Sequence, residues 1–222
     1  GDVILATALV EKLHQFYPNS QLDFLLRKGN EGLLENHPFI DNVLIWDKKG
    51  KKYDNLRVIS KSIQRTKYDA VINLQRFAST GLITAFSGAN HKIGFKKNPL
   101  SFCFTKTVEH KIGDGTHEVE RNQKLIAHLT DNLALKPKLH ASNKDFNAVA
   151  VYKKNAYVCM APTSVWFTKQ LPKEQWVKLA NKTDDQTTVY LLGGPDDAAQ
   201  CEYIKAASKN KNVVNLAGKL SF

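Results

Sequence analysis

Between Tyr157 and Pro195 the chain reads YVCMAPTSVWFTKQLPKEQWVKLANKTDDQTTVYLLGGP, and this stretch limits the possible folds more than any other. An apolar run, Tyr157 to Ala161, stops at a proline and the hydroxyl pair Thr163 and Ser164. A loop follows that carries one cation, Lys169. Pro172 has the fixed φ that suits a helix start, and Trp176, Leu179 and Ala180 then recur at helical spacing over residues 173–181. A second apolar run, Thr188 to Leu192, ends in Gly193-Gly194-Pro195. Strand, polar loop, helix, strand and glycine turn make half of a nucleotide-binding α/β domain. Such domains take their ligand at the carboxyl ends of parallel strands. Residues 163–169 and 193–197 both follow strand ends, so they are expected to share one rim.

The rest of the chain alternates in the same way. Apolar runs at 22–26, 43–46, 70–74, 92–95 and 212–216 read as strands. Stretches 30–35, 56–66, 77–87, 116–129 and 198–208 read as helices. The opening segment carries Ile4, Ala8, Leu9 and Leu13 as an amphipathic stripe, with Asp2 where an N-cap belongs. A cap aspartate normally follows a strand in a βα unit, so the expectation is that a first strand is missing from the sequence. The second half is thin for a doubly wound domain and is also expected to be cut short. Residues 96–106 are basic and aromatic without periodicity. Residues 133–152, with two prolines, read as the passage between domains. The domains are accordingly drawn at 1–145 and 146–222, each with a mostly parallel sheet.

Lys and Arg number 32 against 21 Asp and Glu, a net charge of +11. That balance suits polyanionic partners such as nucleic acid, phosphorylated sugars or an anionic membrane surface. The lysines are scattered, however, and a solvated basic surface accounts for them equally well. A nucleic-acid-binding face would need a continuous basic patch with interleaved aromatics. Cys103, Cys159 and Cys201 lack ligand or redox spacing and read as buried reduced thiols, which fits the cytoplasm. No His, Cys and carboxylate group shows metal spacing in sequence. His14, His37 and His128 read as surface or core fillers, and His117 and Arg121, one helical turn apart, as structural.

Four segments in order resemble glycosyltransferase family 9, the heptosyltransferases of lipopolysaccharide core assembly. They are GDVILATALVEKL, then YDAVINLQRFASTGLITAFSGANHKIGF, then THEVERN, and finally APTSVWFTKQLPKEQWVKLA with VYLLGGPDD and VVNLAGKLSF. The resemblance spans nearly the whole chain. It implies a GT-B fold, two Rossmann-like domains with parallel sheets facing a cleft: an acceptor-binding domain over 1–145 and an incomplete nucleotide-sugar domain over 146–222. It also implies inverting, metal-independent transfer of a heptose or similar sugar from an ADP-sugar to the lipopolysaccharide inner core, with no cofactor. The expected partners are the ADP-sugar donor and a lipid-linked oligosaccharide at the inner membrane surface, not nucleic acid. The expected location is cytoplasmic, with peripheral attachment to the inner membrane.

The resemblance also assigns residues. Asp2 matches the general base, and Lys169 the cation that meets the departing diphosphate. Thr163, Ser164, Gly193, Gly194 and Asp196 match donor-binding positions. Arg76, Lys92, Lys96 and Lys97, read as lying at or after strand ends, are candidates for acceptor phosphates, with exposed basic residues as the plain alternative. Gln170-Leu171-Pro172 departs from the usual Arg- or His-Trp-Pro, and a later Asp-[Ser/Thr]-Gly-x-x-His segment is not found. The competing reading is an anion- or nucleic-acid-binding α/β protein without catalysis. An epimerase-type GT-B enzyme would show paired His and Glu acid–base residues, which the sequence lacks.

Overall fold

The computed structural model describes residues 2–49 and 51–220, with only the backbone of Lys52. Gly1 of the Gly-Asp-Val opening, Gly50 in the basic turn at 48–52, and Ser221 and Phe222 of the last matching segment lie outside the described residues. The chain divides into two compact units, residues 1–140 and 141–222.

The first unit begins with helix α1 (Asp2–Phe16). Strands β1 (Asp23–Arg27) and β2 (Asn42–Trp46) follow, then helix α2 (Lys52–Thr66), β3 (Ala70–Asn73) and helix α3 (Ala78–Ala85). β4 (His91–Phe95), β5 (Lys106–Val108) and helix α4 (Glu118–Ile126) complete it. All its strand pairs are parallel. β1 pairs with β2 from Asp23↔Asn42 to Arg27↔Trp46, and β4 lies between β3 and β5. The expectation of one sheet in this unit needs correction: the described residues form two sheets, β1-β2 and β3-β4-β5.

A slot of about 320 Å³ lies between these sheets, lined by Ala6, Leu9 and Val10 of α1, Phe24 and Leu25 of β1, and Ala70 and Ile72 of β3. Side chains join the halves. Leu9 packs with Ile93, Phe95, Leu125 and Ile126 on one side, and Trp46, Leu56, Ile63 and Ile83 cluster on the other. Lys12 is almost wholly buried and pairs with Asp131 at 2.7 Å, fixing α1 to the segment after α4.

The Tyr68 hydroxyl donates to Asp23 across the gap between the sheets. Burial alone would raise the Asp23 carboxyl, but donors from Tyr68, Asn42 and Gln21 outweigh it and hold the group below its ordinary value. Tyr68, buried and facing a carboxylate, is pushed up to about 12. A carboxyl lowered on folding stabilises above its unfolded value and loses that contribution as pH falls through the folded value. A raised phenol stabilises below its unfolded value and loses its share as pH climbs through about 12. Tyr68→Phe should therefore lower Tm most between these limits. The gap from the parent protein should close as pH drops below about 4, as read by thermal melts across pH.

The second unit holds helix α5 (Asn143–Ala150), β6 (Tyr157–Met160), helix α6 (Lys173–Ala180), β7 (Thr188–Leu191), helix α7 (Ala198–Ala207) and β8 (Val213–Asn215). Its strands form one parallel sheet in the order β6-β7-β8. Met160, Ala180, Val189, Leu191, Cys201, Ile204 and Val213 make its core.

Several expectations need adjustment. Stretch 30–35 closes only one 3₁₀ turn, Glu31–Leu33, too short for i→i−4 bonds to build a helix. β5 arises inside the aperiodic 96–106 region and just beyond it, because β4 supplies its pairing. Helix α5 forms within the stretch read as a passage. Ser142 and Asp145 cap it reciprocally, the Ser142 N–H donating to Asp145 Oδ2 at 2.8 Å. Asp2 stands inside the first turn of α1 rather than before it. Cys103 and Cys159 are exposed, and only Cys201 is buried. Cys159 lies on outer strand β6, whose first three residues face solvent. Among the described residues no helix is long and apolar enough to cross a membrane.

Candidate active site

Parallel strands send all their following loops to one rim. In the second unit Met160 pairs with Leu191, and Leu191 with Asn215, so β6, β7 and β8 end at one level. The loops at 161–169, 192–197 and 216–219 leave from there, as expected for the first two. The first begins at buried Pro162. Thr163 and Ser164 are half-buried, and Ser164 Oγ accepts the Trp166 N–H at 3.2 Å. Lys169 ends a 3₁₀ turn held by its own N–H to Trp166 O at 2.9 Å, and its side chain is exposed. Val165 and Phe167 beside it are among the most exposed side chains of the protein.

The glycine turn is more specific than its sequence suggests. A Cβ on Gly193 would lie 2.7 Å from Asp197 Cβ, so the fold itself demands glycine there. Asp197 Oδ2 accepts the Gly194 N–H at 2.7 Å, and the Gly218 N–H donates to Gly193 O at 2.9 Å. Asp197, which sequence reasoning passed over, therefore organises the turn, while its neighbour Asp196 is exposed at the rim. Gly194 has ordinary extended backbone, φ −72° and ψ 176°. A Cβ there would come no nearer than 3.6 Å to any atom outside its chain neighbours. Internal packing therefore does not require glycine at 194. Lys219 stands in the third loop, exposed, a second cation that the motif reading did not single out.

In the first unit Asp2 is exposed in the opening turn of α1 and lines the slot with Asn73 and Gln75, at the carboxyl end of β3. Arg76 follows β3, its guanidinium 5.9 Å from the Phe77 ring, and Lys96 and Lys97 follow β4 on the same rim. Lys96 already pairs with Glu109 at 2.6 Å. Lys92 is separated from this group. It is the second residue of β4, three residues before the strand's carboxyl end, or roughly 10 Å along the strand. The proposed basic set is thus brought together only in part.

Asn98 ties this rim together. Buried at 1 % exposure, it donates to Gln75 O at 3.0 Å and Phe77 O at 3.1 Å and accepts the Leu100 N–H at 3.0 Å. Gly81 of α3 lies against it: an added Cβ would stand 2.3 Å from Asn98 Oδ1. Gly81→Ala should push Asn98 off its partners and cost about 1–3 kcal/mol, seen as a Tm lowered by several degrees.

His117 caps α4, its Nδ1 accepting the Val119 N–H at 3.2 Å while its own N–H donates to Glu120 at 3.0 Å. Arg121, 8 % exposed, donates to Thr116 O at 2.8 Å and pairs with Glu118. Both serve the structure, as their spacing suggested.

Parallel sheets with helical crossovers, and in the second unit hydroxyl, glycine and lysine residues in the loops at the carboxyl rim, define an α/β protein with parallel sheets. The chain belongs to glycosyltransferase family 9 (heptosyltransferase), whose family model matches residues 56–222. It is 27% identical over 244 residues to lipopolysaccharide heptosyltransferase 3 of Escherichia coli (strain K12), covering 100% of this chain and 69% of that protein. Its fold is similar to that of E. coli ADP-heptose lps heptosyltransferase II, with a TM-score of 0.84 at 20% identity over 100% of this chain and 70% of the other. It is also similar to E. coli heptosyltransferase WaaC with ADP-2-deoxy-2-fluoro heptose, with a TM-score of 0.72 at 18% identity over 100% of this chain and 74% of that one.

Proposed function

We propose that this chain carries the transfer machinery of an inverting GT-B heptosyltransferase that moves heptose from ADP-heptose to the lipopolysaccharide inner core. In this reading residues 1–145 bind the acceptor and 146–222 the nucleotide sugar, as Rossmann-like domains facing a cleft. The observation that carries it is the rim of the second unit, where the loop with Thr163, Ser164 and Lys169 follows β6 and the turn with Gly194 follows β7, two neighbouring parallel strands that end at one level. The open space beside Gly194 lets a ligand come close to its backbone.

In the reaction Asp2 takes the proton of the acceptor hydroxyl as its oxygen attacks the anomeric carbon. The bond from that carbon to the diphosphate oxygen breaks on the opposite face, which inverts the centre. ADP leaves with the electron pair, and the Lys169 ammonium, with hydroxyl and N–H donors of its loop, offsets the charge. Asp196 accepts from ribose hydroxyls, as acidic groups do in dinucleotide folds. Neither a metal nor a cofactor takes part. Arg76, Lys96 and Lys97 meet phosphates of the lipid-linked acceptor at the cytoplasmic face of the inner membrane, and Lys92 stands apart from them.

The test is incubation of the full-length protein with lipopolysaccharide acceptor and a panel of nucleotide sugars, read by mass. ADP-heptose should add one heptosyl residue, and ADP rather than UDP should raise Tm. Stabilisation by short RNA alone, with no sugar added, would replace this reading with the binding-protein alternative.

A further inference from the structure

Glu11, His37 and His140 are far apart in sequence, and the fold brings them together inside the first unit. Glu11 projects from α1 nine residues beyond Asp2, or about 13 Å along the helix, so the group is remote from the proposed base. Its side chain is 5% exposed and that of His37 only 1%. Glu11 Oε1 lies 3.3 Å from His140 Nε2 and 3.7 Å from His37 Nε2. One ligand-type atom from each of the three residues falls within 4.8 Å of the others. The second Glu11 oxygen is engaged elsewhere, accepting from Lys138 Nζ at 2.8 Å. His37 Nε2 is fully buried and has no hydrogen-bond partner among the described residues.

We propose that Glu11, His37 and His140 bind a divalent transition cation of the zinc class through Glu11 Oε1 and imidazole nitrogens of the two histidines. A tetrahedral centre with bonds of about 2.0–2.1 Å places its ligand atoms about 3.3 Å apart. The two separations from Glu11 Oε1 are already close to that edge, and partly exposed His140 can adjust the rest. Two imidazoles and one carboxylate suit zinc or cobalt better than magnesium or calcium. His37 Nδ1 accepts the Phe39 N–H at 3.3 Å, which leaves the imidazole proton on Nε2. Loading moves that proton to Nδ1 and opens this long contact, while the cation takes its former place against Glu11. Lys138 keeps its bond to Oε2 and balances the carboxylate from outside. The bound ion joins α1, the turn at 37–39 and residue 140, where the first unit ends. It acts as a staple and takes no part in sugar transfer.

Untagged full-length protein, stripped with chelator, is titrated with Co²⁺. Visible d–d bands should saturate at one equivalent, collapse on adding Zn²⁺, and accompany a rise in Tm. His140→Ala, at a partly exposed position, should stay folded by circular dichroism and lose affinity by about tenfold or more. Lys138→Ala should keep the bands. Absence of a one-equivalent band in the parent protein, or bands unchanged in both His140→Ala and His37→Ala, would overturn the site.

Discussion

Asp2→Asn is expected to lower heptosyl transfer by about 10²–10⁴-fold, the span that a positioned general base contributes. Asparagine keeps the size and hydrogen-bonding outline of the side chain but cannot take a proton. Asp2 stands in the first turn of α1, so the exchange also removes a favourable charge near the helix N-terminus, worth about 0.3–1 kcal/mol. That is too small to unfold the protein, and a melt will separate it from the kinetic effect. In the proposed reaction the residue acts on the acceptor hydroxyl only as the bond forms. kcat and kcat/KM should therefore fall together while ADP binding is unchanged. Turnover close to that of the parent protein would remove Asp2 from the mechanism.

Lys169→Ala should cost about 10²–10³-fold in kcat, by analogy with loss of a single preorganised charge-stabilising donor. Backbone bonds to Trp166 O and Phe167 O hold the turn that carries Lys169, together with the Gln170 side chain on Ser164 O. Removing an exposed side chain leaves that turn in place, so the loss reports the ammonium rather than the loop. Lys169→Arg keeps the charge in a different shape and should recover part of the rate. If Lys169→Ala transfers heptose at the parent rate, Lys219 of the neighbouring loop is the next cation to test.

Much of this arrangement was legible because local pattern dictates it. The apolar runs at 157–161 and 188–192 end within one residue of β6 and β7, and Pro172 marks the start of α6. The shared rim follows once the strands are parallel. Features decided by distant contacts were not legible. The front half splits into two sheets because pairing is set by neighbours far along the chain. β5 is three residues long and has no pattern of its own. Asp196 and Asp197 look alike in sequence, and only the turn geometry gives the Gly194 amide to the second. His37 read as a filler because its partners are 26 residues before it and 103 after it. The Ser-x-x-Asp signature of α5 was present at 142–145 and went unused.

Every paired strand within each unit runs the same way, and this has a practical use. Connections that enter strands lie on the edge away from the proposed chemistry. The exposed turn at 184–186 before β7 is such a connection. Short peptide tags or fluorophore attachment points spliced there should leave catalysis untouched, whereas the same insertions between 163 and 169 would silence it.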